Sequence, residues 1–371
     1  MAFLLSGFYY FYFSVIGIYI IFLPKVLADV GYSASEIGII FAASPLVRLV
    51  LPFLFMRGFT LNKTMFNRAL VIIILSSISF YFSLEHFYAL LLSNIFMGIG
   101  MSLTLPYIET LSLEVLGKER YGKVRLFGSL GFILVALVLV KFVASAYNAL
   151  YFLASLSFVT TLFAFLIANN VEKQTSFTSH NTQVSDISLL KDYKLWIGLT
   201  LMQMSFGSFY NFFTIYETSH GISLDMTIYL WSFGVVVEIV MLFFQGKLLQ
   251  RNLLSILEFT IFATVIRWFL VFMFPQNIIV LFFAQSLHAL SFALFHSAAI
   301  SYLHQVYKNK TLSQQFFSGI TYGFGGLSGA LIAGYVYEWY PKYLFLSSSL
   351  IACCALVFIF LYNTQQKAKE A

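Results

Sequence analysis

Apolar runs of about 19–26 residues recur along the whole chain, separated by short polar breaks. A helix needs about 20 such residues to cross a ~30 Å hydrocarbon core. The pattern therefore predicts an all-α membrane protein of twelve transmembrane helices, spans 1–12 in chain order. They fall at about 3–26, 34–56, 66–84, 87–112, 122–143, 148–169, 195–217, 226–246, 254–273, 278–303, 315–338 and 343–363. The long polar connection, Glu172 to Lys194, is rich in Ser, Thr, Asn and Gln. It predicts an N-terminal six-helix bundle over 1–170, a cytoplasmic linker over 171–194 and a C-terminal six-helix bundle over 195–371.

Two charges interrupt this pattern. Arg48 follows Gly31-Tyr32-Ser33 by 17 residues from the glycine, and Glu238 follows Gly221-Ile222-Ser223 by the same interval. A charge near a bilayer centre costs roughly 2.5–3.5 kcal/mol on insertion scales, so one that persists there faces a cavity or a partner. The same register with opposite signs suggests a duplicated bundle around a polar pathway, the construction of a transporter.

Composition agrees: 60% hydrophobic, 10% charged, against about 25% charged in soluble domains. The net charge of +6 is no nucleic-acid footprint, because the basic residues sit in short loops. Sixteen of the 21 Lys and Arg fall in loops on one side and three on the other, with Arg48 and Arg267 inside spans. This asymmetry places both termini in the cytoplasm. Cys353 and Cys354 are adjacent and read as small core residues. The first apolar run starts at once and is too long for a signal-peptide core. The 44 Phe read as lipid-facing filler and do not choose a substrate.

The halves share further pairings: Phe8-Tyr9-Tyr10-Phe11 with Phe209-Tyr210-Asn211-Phe212, and Phe127-Gly128-Ser129-Leu130 with Phe324-Gly325-Gly326-Leu327. Both halves start on the same side, which predicts a parallel repeat about an axis along the membrane normal. Tyr121–Phe132 (YGKVRLFGSLGF), Trp231–Glu238 (WSFGVVVE), Gln285–Ala299 (QSLHALSFALFHSAA) and the span-11 run SGITYGFGGLSGALIAG resemble the major facilitator superfamily, in its phenylpropionate-permease and lactose-permease-like branch. Two departures stand out. The loop Arg57-Gly58-Phe59-Thr60-Leu61-Asn62-Lys63 lacks the usual Asp, and Ala298 and Ala299 follow His296 where the lactose-permease pattern has an acid.

Counting 1.5 Å per residue from the cytoplasmic end, Glu238, His296, Arg267 and His288 fall within roughly 12 Å of depth. A carboxylate beside an arginine and imidazoles is a candidate proton site, since burial disfavours its charge and a cation favours it. The resemblance supports Glu238, Arg267 and a span-10 histidine as coupling residues; the competing reading is a fixed Glu238–Arg267 ion pair. On a helical wheel Gln285, Phe292 and His296 fall within about 40°, with His288 about 60° from Gln285. Span 7 offers the stripe Gln203, Gly207, Tyr210, Thr214 and Glu217, and span 1 offers Ser6, Tyr10 and Gly17. In the family, spans 1, 4, 7 and 10 line the cavity. Expected solute contacts are therefore Arg48 as anion clamp, with Tyr10, Gln203, Tyr210, Gln285 and Phe292. Glu109 and Arg125 lie at matching depth on consecutive spans and are expected to pair, as a gate or solute contact. No third ligand accompanies the histidines, so no metal site is expected.

These features imply a secondary transporter of the cytoplasmic membrane, monomeric and without a cofactor, that draws on the proton gradient. Proton symport of a small organic solute is expected, an aromatic carboxylate such as a phenylpropionate by resemblance. Sugar or nucleoside symport and an uncoupled facilitator are the alternatives. A non-transporting sensor would carry an output domain, and no loop is long enough for one. An intramembrane enzyme would need a catalytic cluster, and no such motif occurs.

Overall fold

The computed structural model describes residues 1–57, 61–142, 146–171 and 189–370. Eleven helices among them are long and apolar enough to cross a membrane. These are α1 (Ala2–Val30), α2 (Ala34–Met56), α3 (Lys63–Ser83), α4 (Phe87–Gly117), α5 (Arg120–Leu139), α6 (Ala146–Val171), α8 (Leu224–Phe244), α9 (Leu253–Met273), α10 (Ile278–Val306), α11 (Lys310–Trp339) and α12 (Leu344–Glu370). The twelfth, α7, runs in two pieces, Tyr193–Ser205 and Gly207–Ser219, with Phe206 at the break.

The repeated Gly-x-Ser turn has one physical basis in both places. Gly31 and Gly221 take left-handed backbone angles (φ 109° and 88°), which cost a glycine little. They close the preceding helix through Tyr32 N–H to Leu27 C=O and Ile222 N–H to Glu217 C=O, each 3.1 Å. The serine two positions on starts the next helix. Ser223 Oγ accepts from Met226 N–H at 3.2 Å; Ser33 and Glu36 form a reciprocal capping box. The register ahead of Arg48 and Glu238 is thus a helix stop followed by a helix start. Asn62, Asn252, Asn277 and Asn309 cap α3, α9, α10 and α11 in the same manner.

The helices form two compact units. The first holds α1, α3, α4, α5 and α6. The second holds α7–α12 and also α2, which the sequence places in the 1–170 bundle. The reason for α2's place is steric. Gly38 faces Gly334 so closely that a Cβ on Gly38 would lie 3.0 Å from the Gly334 Cα and 2.8 Å from the Ala330 oxygen. At the same end Ser35 N–H donates to Glu338 Oε2 at 2.7 Å. Small residues give backbones this approach, and dispersion then holds the helices without a hydrophobic drive from lipid. Gly207 of α7 meets Gly329 of α11 even more closely. Most of the 171–194 connection lies outside the described residues.

At the start of α7 the buried Asp192 accepts from Tyr307 Oη (2.8 Å) and Tyr362 Oη (3.2 Å), and Trp196 Nε1 donates to Tyr307 Oη (3.0 Å). Burial, then the bond donated to Asp192, holds the Tyr307 hydroxyl well above the ordinary phenol range. Cys353 and Cys354 are exposed on α12 and are not core residues. A thiol is small and weakly polar, so the outer face of a spanning helix accepts it.

Candidate functional site

Arg267 on α9 is fully buried, and its environment defines the site in the second unit. Its Nη1 donates to His288 Nδ1 (2.9 Å) and Ser291 Oγ (3.0 Å), and its Nη2 to Gln285 Oε1 (2.9 Å). The guanidinium also lies over the rings of Phe209 (4.4 Å) and Trp268 (4.3 Å). A planar, weakly hydrated cation suits such a fork-and-stack setting, where an ammonium does not. No carboxylate among the described residues lies within ion-pair distance of it.

The carboxylate comes one step later. His288 Nε2 lies 3.5 Å from Glu238 Oε2. Arginine only donates, so His288 Nδ1 is the acceptor of their bond and the imidazole carries its hydrogen on Nε2, facing Glu238. Glu238 and Arg267 are therefore joined through His288. This geometry replaces the direct ion pair that sequence alone allowed. The depth count separates Glu238 from His288 by about seven residues, or ~10 Å on upright helices; the helices nevertheless bring the two side chains together. Gly234, one turn before Glu238, permits it: a Cβ there would lie 3.3 Å from Gln285 Oε1 and 3.7 Å from His288 Cδ2.

Helix α10 changes winding here. Residues Ala289–Leu294 form a π-turn, and such turns recur at functional sites because they re-aim side chains. The wheel drew Gln285, Phe292 and His296 into one stripe, with His288 at its edge. In the structure Gln285, His288 and Ser291 converge on Arg267, while His288, Phe292 and His296 stack in sequence (5.2 and 6.4 Å between centroids). His296 Nδ1 lies 2.7 Å from Tyr322 Oη. Tyr322 belongs to a second π-turn, Phe317–Phe324 in α11.

Across α7, Tyr210 lies on the same helix face as Gln203, two turns on, and within electrostatic reach of Glu238, Arg267 and Arg48. Tyr322 lies within reach of Tyr210, Arg48 and Glu238. Arg48 itself is exposed, and no acidic side chain among the described residues pairs with it. The second unit thus gathers Arg48, Gln203, Tyr210, Glu238, Arg267, Gln285, His288, Phe292 and His296.

The other candidates lie in the first unit. Glu109 Oε1 is 3.5 Å from Arg125 Nε, and Tyr121 Oη donates to the same oxygen at 3.3 Å. The Arg125 guanidinium stacks over Phe13 at 4.0 Å. Tyr10 is half-buried and packs edge-on against Phe11. Sequence reasoning missed Ser291 and Tyr322. Ser291 lies one three-residue step beyond His288, a visible signal; Tyr322 depends on a local winding that no residue pattern announces.

Residues 2–347 match the MFS_1 like family. The chain belongs to that family. It is a multi-pass transporter of major facilitator type, not an enzyme. It is 26% identical over 363 residues to the "Probable 3-phenylpropionic acid transporter" of Escherichia coli (strain K12), covering 94% of each chain. It is 24% identical over 347 residues to the "Uncharacterized transporter YwbF" of Bacillus subtilis (strain 168), covering 90% of this chain and 86% of that one. Among solved structures, the nucleoside transporter NupG superposes with a TM-score of 0.81 at 18% identity, covering 99% of both chains. The POT family transporter PepTSo superposes with 0.77 at 10% identity, covering 100% of this chain and 97% of the other. Those two likenesses establish the major facilitator fold.

Proposed function

We propose that this transporter is a proton-coupled symporter of the cytoplasmic membrane, with both termini cytoplasmic, that carries a small aromatic carboxylate as a monomer by alternating access. One observation supports the coupling above all: Glu238 meets an imidazole whose other nitrogen is held by a fully buried arginine. With Glu238 ionised, the Nε2 hydrogen of His288 faces a carboxylate and the buried cation is balanced through the ring. With Glu238 protonated, that balance is lost and an incoming anion becomes the better partner for the positive field. Proton and anion binding then support one another, which is what symport requires.

Exposed Arg48 supplies a fork for the solute carboxylate. Tyr210, Phe292 and Tyr322 supply ring faces and a hydroxyl for the aromatic body. The Escherichia coli relative, by its name, handles such an acid. In the first unit, Glu109 and Arg125 are proposed as a gate. The second reading, an uncoupled facilitator, draws on Ala298 and Ala299 after His296, where no acid stands.

Purified protein in proteoliposomes, offered 3-phenylpropionate, tests the proposal. Concentrative uptake under an inside-alkaline gradient, lost with a protonophore, is expected. Uptake that only equilibrates under both conditions favours the facilitator. No uptake at all overturns the solute class.

A further inference from the structure

Glu217, near the end of α7, takes no part in the arrangement around Arg267. It is fully buried, and neither carboxyl oxygen has a hydrogen-bond partner among the described residues. It shares a helix face with Tyr210 and Thr214, at steps of seven and three residues. Thr214 Oγ1 accepts from Trp231 Nε1 at 3.2 Å, and Trp231 precedes Glu238 by seven residues on one face of α8. The Thr214–Trp231 bond therefore stands between two acids, with Glu217 on the Gly221 side. At 1.5 Å per residue they are separated by roughly 15 Å along the helices.

An ionised carboxylate without a donor or counter-ion in a dry site is penalised several-fold more than the neutral acid. The titratable groups on the helix ends packed here include Tyr216, His220, Asp225, Tyr337, Glu338, Tyr340, Lys342 and Tyr343. None of them forms an ion pair with Glu217 among the described residues: Asp225 and Lys342 are exposed and Glu338 is engaged by Ser35. A hard cation would ask for several oxygen ligands, and no cluster of acidic or imidazole ligands exists among the described residues. The ligand that fits is a proton.

We infer that Glu217 is a second proton-binding carboxyl of the second unit, separate from Glu238 and occupied in this conformation. Release is an acid dissociation to water, leaving a carboxylate and hydronium, and it needs a conformation that admits water past the Gly221 turn. The inference goes beyond the symport reading, and its test uses no solute, so the two stand or fall separately.

The test is infrared spectroscopy of the full chain in lipid nanodiscs, in the C=O region of protonated carboxyls. Wild type is expected to show one carboxyl equivalent that shifts down in D2O and is missing from Glu217→Gln. Glu217→Asp, one methylene shorter, is expected to keep a band at a displaced frequency, and it serves if the Gln variant does not fold. Superimposable wild-type and variant spectra, or a band that ignores D2O over hours, overturns the inference.

Discussion

His288 joins the two charges of the site, and its two nitrogens can be separated by substitution. The side-chain amide of Asn stands near the Nδ1 position and that of Gln near Nε2. His288→Asn therefore retains an acceptor for Arg267 and removes the donor facing Glu238. His288→Gln retains a donor toward Glu238 and withdraws the acceptor from Arg267. Hydrogen bonds to charged groups contribute about 1.5–3 kcal/mol each. The Arg267 contact, at 2.9 Å, sits at the strong end; the Glu238 contact, at 3.5 Å, at the weak end or below it. Both variants also lose the stack on Phe292, about 0.5–1.5 kcal/mol. Asn is thus expected to cost about 1–3 kcal/mol in folded stability and Gln about 3–4.5 kcal/mol. Coupling should run the other way, because Asn severs Glu238 from the cation while sparing the fold. Thermal unfolding of purified variants, with uphill and downhill uptake in proteoliposomes, reads both quantities. If Asn unfolds before Gln, or if Asn concentrates solute as wild type does, the imidazole is not the link between Glu238 and Arg267.

Glu109→Gln and Arg125→Gln are each expected to lower uptake, and the double variant by less than the sum of the two, because a single change strands a half-buried charge; additive losses in the cycle would disprove coupling. Arg48→Gln should raise the KM for an aromatic carboxylate about tenfold, equivalent to ~1.4 kcal/mol, with unfolding unchanged; an unaltered KM would remove Arg48 from solute binding. Gly207→Ala places a methyl against the Gly329 backbone, which cannot rotate aside. It should cost about 1–3 kcal/mol, seen as a lower unfolding temperature, and a wild-type value would contradict the close contact.

The spans and the Gly-x-Ser turns were readable because they are local: a run of apolar residues, and a Gly that reverses the chain two residues before a Ser. Span 7 was legible as one run, although the backbone breaks at Phe206. Arg267 was visible as a misplaced charge and His288 as its neighbour in depth, but the donor-by-donor contacts were not, and Ser291 meets Arg267 from within the α10 π-turn, off the 100° wheel. The π-turns in α1, α10 and α11 leave no residue signature, so any wheel drawn across them drifts. The grouping of α2 with α11 was likewise hidden, because it rests on small residues brought face to face by the fold. Asp192, read only as part of a polar connection, is buried by two tyrosine hydroxyls from distant helices.

Glu238 carries the central claim, and Glu238→Gln tests it most directly. The amide keeps the volume and removes the exchangeable proton. Uptake of 3-phenylpropionate against its gradient under an imposed pH difference, and exchange at equal concentrations, are measured on the same proteoliposomes. The account predicts that accumulation is abolished while exchange persists, since binding and rocking need no net proton release. A variant that still concentrates the solute contradicts it.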